Sequence, residues 1–299
     1  MHGNWTIILD MNPNPADYMI IDGTVIADDT RNILLTARSI FIRSGSITAG
    51  SPTTPFHHNF TIQINNTKSD KGWFIDEVVA GNKYLVVSGS LNLYGNAPDT
   101  VQTFLTQSAS KDDVKIFVKS KTGWAIGDTL GISPSYGIYS QYETVKIIGF
   151  NDDGSVSIDP PLLYNHYGSS GPLKTTHGSI DVNSYVAHLN RNIKVIPGPD
   201  VGWGVNILVY GYTDGDKVRR DGYVDLSGVQ IQDGGQYDTT ASALQFLNVM
   251  SDKYTSIVQK TSFINCKAWC INVENVRNVT IKNNVFYNAW VFGARVKGL

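Results

Sequence analysis

The sequence predicts an all-β chain whose last third is a stack of parallel coils. Three observations predict it: period-two alternation recurs in short runs, no apolar 3.6-residue pattern persists for ten residues, and the C-terminal third repeats itself. At 299 residues the chain suits one large or two modest domains and needs no metal or disulfide to hold a core.

The alternating runs, in order, are Ile40-Phe41-Ile42, Phe60 to Ile64, Tyr84 to Val87, Val114 to Val118, Thr144 to Ile148 and Ser155 to Ile158. Each turns one side inward and the other outward, and their β-branched and aromatic residues suit a half-buried pleat. Between them stand turn residues that accept positive φ: Asp22-Gly23, Ser44-Gly45-Ser46, Ser88-Gly89-Ser90 and Asp153-Gly154-Ser155. This leaves sandwich, barrel and solenoid.

The repeat selects the solenoid. At an offset of 23, Phe263 falls on Phe286, Asn265 on Asn288 and Val273 on Val296. At an offset of 27, Ile231 falls on Val258 and Phe246 on Val273. A strand, an Asn-rich turn and a second strand per 23–27 residues is the length of one coil of a single-stranded parallel β-helix. The crossover rule for parallel strands makes it right-handed. The expected division is a β domain with its extension over 1–190 and β-helix repeats over 191–299. The polar segment Thr213 to Asp221 is expected to loop out of one coil.

Composition narrows the function. Charged residues are 17% and hydrophobic ones 41%, which describes a folded chain. The balance of 24 basic against 26 acidic residues argues against a cationic nucleic-acid binder. No apolar run approaches the ~18–20 residues that a membrane helix needs. The opening residues lack a basic n-region, and Lys297-Gly298-Leu299 carries no closing pattern. The chain is therefore expected to be a piece of a longer one, with more coils or a cap beyond 299, since bare ladder edges invite pairing.

Asp22-Gly23-Thr24-Val25, the segment Ile40 to Gly50 and the segment Val86 to Gly95 stand out as glycine-marked runs. Through them, residues from about 8 to 100 resemble the eight-glycine (G8) domain family, which includes fibrocystin-type proteins and cell-surface hyaluronan-degrading proteins. Gly123-Trp124-Ala125-Ile126-Gly127-Asp128, Glu143-Thr144-Val145, Tyr164 to Gly168 and Leu189 to Val195 follow in the family's order. The resemblance implies an extracellular or cell-surface location. It implies a structural or recognition module of a larger, filament-forming or cell-surface glycoprotein. The partners it implies are further domains of the same chain, other subunits, or glycans. Trp73 and Trp124 are expected to fill the core.

The resemblance also raises a polysaccharide-degrading alternative. Its hyaluronan-degrading members carry paired histidines shortly after a Gly-Gln. Here Gly235-Gln236 is followed by Gln245 and Asn248, which cannot shuttle protons as imidazole does. No catalytic residue is therefore assigned. Asp112-Asp113 and Asp152-Asp153 read as turn residues. Adjacent His57 and His58 would point to opposite sides of a strand, so no metal site is assigned to them. No cofactor is expected. Asp214-Gly215-Asp216 could join a calcium shell, or simply form a solvated loop tip.

Asn-x-Ser/Thr acceptors stand at Asn4, Asn59, Asn65 and Asn278, about as many as chance gives. The resemblance makes their glycosylation an expectation, with Asn59 and Asn65 favoured. Cys266 and Cys270 are the only cysteines. A disulfide across a coil corner and two buried thiols both fit that spacing. Trp203, Trp269 and Trp290 form a candidate contact surface if they lie outside, and ordinary packing if they lie inside.

Overall fold

The computed structural model describes residues 5–76, 78–135, 137–200 and 202–298. Asn4 and the side chain of Trp73 lie outside that description. The chain forms two units, residues 1–97 with 191–299, and residues 98–190.

The first unit is a parallel β-helix. One face holds Thr6–Leu9, Thr24–Ala27, Ser46–Ala49, Ser90–Tyr94, Tyr223–Ser227, Ser256–Gln259 and Val279–Lys282, in that spatial order. The long strand Ile33–Ile42 serves two further faces. Its first half pairs with Phe60–Ile64, followed by Ile193–Pro197, Val229–Gln232, Ser262–Ile264 and Val285–Tyr287. Its second half lies between Ala16–Ile21 and Tyr84–Val87. Asn206–Thr213, Leu244–Leu247, Ile271–Glu274 and Ala294–Lys297 continue that third face. The chain visits the faces in rotation, and each visit pairs in parallel with the one before.

Alternation now has its meaning. Inward positions stack into apolar columns such as Val25, Ile47, Leu91 and Val224 on the first face. The second has Leu35, Ile62, Val195, Ile231 and Phe263. The third has Ile42, Val87, Val209, Phe246 and Val273. All of these are buried in one continuous core. Burying each such side chain contributes about 1.5–3 kcal/mol.

The corners are locked by backbone conformation. Asp233, Asn265 and Asn288 all take positive φ, at 51°, 55° and 55°, at the end of the second face in successive coils. Asn248 and Asn275 do so at the end of the third face, at 56° and 52°. Asn and Asp tolerate this left-handed region better than other L-residues. Their amides also bond along the stack: Asn288 Nδ2 donates to Asn265 Oδ1 at 2.8 Å, and Asn275 Nδ2 to Asn248 Oδ1 at 3.2 Å. In the earlier coils glycine does the corner's work by close approach. A Cβ on Gly45 would lie 2.0 Å from the Gly23 carbonyl oxygen, and one on Gly89 2.2 Å from that of Gly45.

Two expectations are corrected. The break after residue 190 marks the chain's return to a stack begun much earlier. Phe60–Ile64 pairs directly with Ile193–Pro197, and Ser90–Tyr94 with Tyr223–Ser227. The offset of 27 holds for Phe246 on Val273, but Ile231 pairs with Phe263, and Val258 stacks on Leu226 in another face. Corner loops differ in length from coil to coil, and strand pairing ignores the loops. The polar segment leaves its coil as a hairpin, Arg219–Asp221 pairing antiparallel with the end of Asn206–Thr213.

The second unit is antiparallel. Its main sheet has six strands in the order Gln102–Phe104, Tyr185–His188, Thr129–Ile132, Glu143–Phe150, Val156–Asp159, Lys115–Ile116, and Leu173–Thr175 pairs with Gly178–Ile180 as a separate hairpin. Leu130, Ile132, Val145, Ile147, Ile158 and Trp124 form its core, and Trp124 Nε1 donates to the Thr100 carbonyl at 2.7 Å. Beside that core His166 sits buried. Its Nε2 is 2.7 Å from Glu143 Oε1 and its Nδ1 2.9 Å from the Ser133 carbonyl oxygen.

Candidate functional site

The corner between the second and third faces carries an aromatic residue in each of four successive coils. Trp203 precedes Asn206–Thr213, Tyr237 precedes Leu244–Leu247, Trp269 precedes Ile271–Glu274, and Trp290 precedes Ala294–Lys297. The loops are held in step by backbone bonds. Lys267 donates to the Gly234 carbonyl at 2.7 Å, Trp290 to that of Cys266 at 2.9 Å, and Ala243 to that of Trp269 at 3.0 Å.

A cation lies against each ring, or against the ring it meets. Lys68 Nζ is 5.1 Å from the Trp203 ring centre, Lys267 Nζ 5.8 Å from Tyr237, and the Arg295 guanidinium 4.8 Å from Trp269. Trp290 meets Tyr237 edge-on at 5.3 Å and is 70% exposed. Trp203 and Trp269 are half-buried. The sequence-predicted tryptophans therefore share one corner and are neither wholly core nor wholly free. Tyr237, which meets Trp290 and Lys267, was missed. Its only sequence signal is its place after Gly235-Gln236.

Beneath the aromatic strip is a polar layer that sequence reasoning also missed. Trp203 Nε1 donates to Asn82 Oδ1 at 2.7 Å, and Asn82 Nδ2 donates to the carbonyls of Thr67 and Asp70 at 3.0 and 2.9 Å. Gln236, 3% exposed, reaches back across coils to the Asn82 and Gly204 carbonyls at 3.0 and 3.3 Å. Lys83 is fully buried and donates to the Asp200 carbonyl at 2.5 Å. Burial pushes its ammonium below the usual lysine range, against the pull of Asp200 and Asp70. Gln245 is buried with its Oε1 accepting from Asn206 Nδ2 at 3.2 Å. Asn248 holds the left-handed corner at φ 56°. These groups hold loops together and offer hydrogen bonds.

Cys266 and Cys270 are joined with their Cα atoms 5.4 Å apart, closing the loop that carries Lys267 and Trp269. Asp214 spends its carboxylate on its own loop, accepting from the Asp216 and Val218 backbones at 3.1 and 2.9 Å and from Arg220 Nε at 2.8 Å. Those hydrogen bonds, led by that from Val218, hold it below the usual carboxylate range. Among the described residues no three His, Cys, Asp or Glu side chains converge as a metal cluster. His57 and His58 do not diverge. They lie in a loop before Phe60–Ile64, and both Nδ1 atoms meet the Asp29 carboxylate, at 2.9 and 3.1 Å.

Of the sequons, Asn59 and Asn278 are exposed at strand entries. Asn278 Nδ2 donates to Asp252 Oδ1 at 3.3 Å. Asn65 is half-buried, its Oδ1 buried without a hydrogen-bond partner and packed against Gly198.

Residues 1–106 match the G8 domain family. Human Fibrocystin-L is 24% identical over an alignment covering 99% of this chain and 8% of its own length. Dog Fibrocystin is 22% identical over 99% of this chain and 7% of its own. A G8 domain-containing protein of Dictyostelium discoideum is 22% identical over 85% of this chain and 17% of its own. The chain thus spans under a tenth of the length of the fibrocystins it matches. Among solved structures, the Gp54 tailspike of Acinetobacter baumannii bacteriophage AP22 aligns with 91% of this chain and 41% of its own at 11% identity and a TM-score of 0.26. The chain carries the G8 match in its first third, where the glycine corners stack, and is similar to fibrocystin and fibrocystin-L over nearly all of its length.

Proposed function

We propose that the chain is a non-catalytic, extracellular structural and recognition module of a larger cell-surface glycoprotein. It offers a rigid β-helical surface for contact with proteins or glycans, and the corner strip of Trp203, Tyr237, Trp269 and Trp290 is the contact face. The observation that carries this reading is the recurrence of an aromatic ring at one corner through four coils, three of the rings with a cation against them. Amphipathic rings fixed on a stiff scaffold give contact area at small entropic cost. The buried disulfide fits an oxidising compartment. The strip's amides and ammonium groups supply hydrogen-bonding contacts to a partner.

Secretion from a eukaryotic cell line, followed by intact mass before and after deglycosylation and before and after reduction, tests the compartment. Glycans on Asn59 and Asn278, none on Asn65, and a bridge that opens on reduction are expected. A secreted protein without sugar, or with free thiols, would contradict it. Incubation with hyaluronan and pectin should leave both intact, and shortened chains would restore the enzyme reading.

A further inference from the structure

The first face carries an outward groove separate from the aromatic corner. It has a volume of about 490 Å³ and is bordered by Ser90, Asn92, Tyr223, Tyr254, Arg219 and Asp221, among others. That is within the size range of small-molecule sites, roughly 300–1,000 Å³. Its floor comes from strand positions that alternate outward. Ser90 stands beside Tyr223, and Asn92 beside Asp225, in the same parallel register.

Its walls are unusual for a plain solvated sheet. Tyr223 and Tyr254 pack with ring centres 5.3 Å apart, and Tyr254 remains 52% exposed. Arg219 grips Asp221 through two bonds, Nη2 to Oδ1 at 2.7 Å and Nε to Oδ2 at 3.1 Å. Asp221 in turn accepts from the Met250 backbone at 3.0 Å, so the pair is fixed to the next coil's corner. Asp225 is 8% exposed. Its Oδ2 accepts from Tyr94 at 2.9 Å and lies 3.5 Å from the Tyr223 hydroxyl, while its buried Oδ1 has no hydrogen-bond partner.

The charges decide what such a groove accepts. Arg219 is taken by Asp221, Arg220 by Asp214 at 2.8 Å, and Lys253 Nζ lies 4.9 Å from the Tyr254 ring centre. Both arginines at the groove already have carboxylate partners, Lys253 lies over the Tyr254 ring, and an anionic ligand would bring its charge towards Asp221. A neutral ligand rich in hydroxyls meets no such cost. Each hydroxyl both donates and accepts, which suits a rim of alternating guanidinium, carboxylate, amide and hydroxyl groups. An apolar ring face suits the exposed tyrosine.

We propose that this groove binds a neutral pyranose, its ring face on Tyr254 and its hydroxyls on the Arg219–Asp221 pair and Asn92. The site is partly preorganised, because the Arg219–Asp221 pair is tied to the Met250 backbone and Tyr254 packs on Tyr223. It is independent of the corner strip.

The test uses the whole chain and ligand-observed NMR with methyl glycosides of glucose, galactose, mannose and N-acetylglucosamine, and with methyl glucuronide. Saturable binding of at least one neutral glycoside is expected, with glucuronide at least tenfold weaker. Tyr254→Ala should weaken binding tenfold or more. Ser90→Tyr, which fills the floor and leaves the ion pair intact, should abolish it, and an unchanged melting curve shows that the variants fold. Trp290→Ala should leave the affinity unchanged. Preference for the glucuronide, or no saturable binding to any neutral glycoside, overturns the proposal. Binding lost in Trp290→Ala and kept in Tyr254→Ala overturns the groove while supporting the corner strip.

Discussion

Phe263 is the side chain whose loss reports most sharply on the stack. It is fully buried, sits between Ile231 and Phe286 in register, and its ring centre lies 5.3 Å from that of Phe286. Phe263→Ala removes a ring from a column that cannot close over the void, because the coils on either side are fixed by ladder bonds. Such truncations cost about 3–5 kcal/mol. In a solenoid the loss falls on the coil and its nearest neighbours. At about 1.4 kcal/mol per tenfold, amide exchange in those coils should speed by roughly 10²- to 10⁴-fold. Hydrogen exchange with mass spectrometry should show this in peptides covering Val229–Gln232, Ser262–Ile264 and Val285–Tyr287. Peptides from Thr129–Ile132 in the second unit should be unchanged. Phe286→Ala, whose ring is 38% exposed, should have a smaller effect. A change below tenfold, or one spread equally over both units, would refute the reasoning.

Three further outcomes follow from named contacts. Gly89→Ala drives a Cβ to 2.2 Å from the Gly45 carbonyl oxygen and should cost about 1–3 kcal/mol or more in denaturant titration. Gly215→Ala, with open space around it, should shift the midpoint little, and equal effects would contradict the stacked-glycine corner. Asp29 is pushed up by burial, but bonds from His58 and His57, backbone and ring, outweigh this and hold it at about 2 against an ordinary 3.8. With a depressed folded value, its contribution is complete above the ordinary value and is lost as pH falls towards 2. Asp29→Asn should therefore flatten the acid-side fall in melting temperature, and an unchanged slope would argue against it. In the second unit, Glu143→Ala strips the partner from buried His166 and should cost about 3–5 kcal/mol. Exchange protection should fall in Thr129–Ile132 and Val156–Asp159 while the β-helix keeps its own, and loosening of both units alike would contradict that.

The repeat was legible where corner loops are short. Phe263 over Phe286 and Val273 over Val296 are register partners, as their common offset of 23 requires. Asn265 and Asn288 repeat because the same left-handed corner recurs, a constraint that selects residue type. Earlier coils escaped because loops of unequal length, and the whole of 98–190, are spliced between strands that touch. No fixed period survives that. The likeness to the G8 family located the glycines, while only the structure shows that Gly23, Gly45 and Gly89 approach one another. The tryptophans could be named from sequence but not placed at one corner, since Tyr237 meets Trp290 and Lys267 from separate coils. Buried Lys83 gave no local signal, because its acceptor, the Asp200 carbonyl, is remote in the chain. His57 and His58 were misread as strand residues, although a loop lets both turn to one carboxylate.

Spin-label distances along the first face probe the coil-on-coil arrangement without relying on stability. Ile8, Ile26, Thr48, Asn92, Asp225, Ile257 and Thr280 occupy one outward row in successive register. Strand spacing of about 4.8 Å puts the ends of that row about 29 Å apart. Nitroxides on Ile8→Cys and Thr280→Cys should give a narrow distribution near that distance, with intermediate positions shortening it by one spacing per coil. A broad distribution, or distances that do not step with coil number, would contradict the parallel stack.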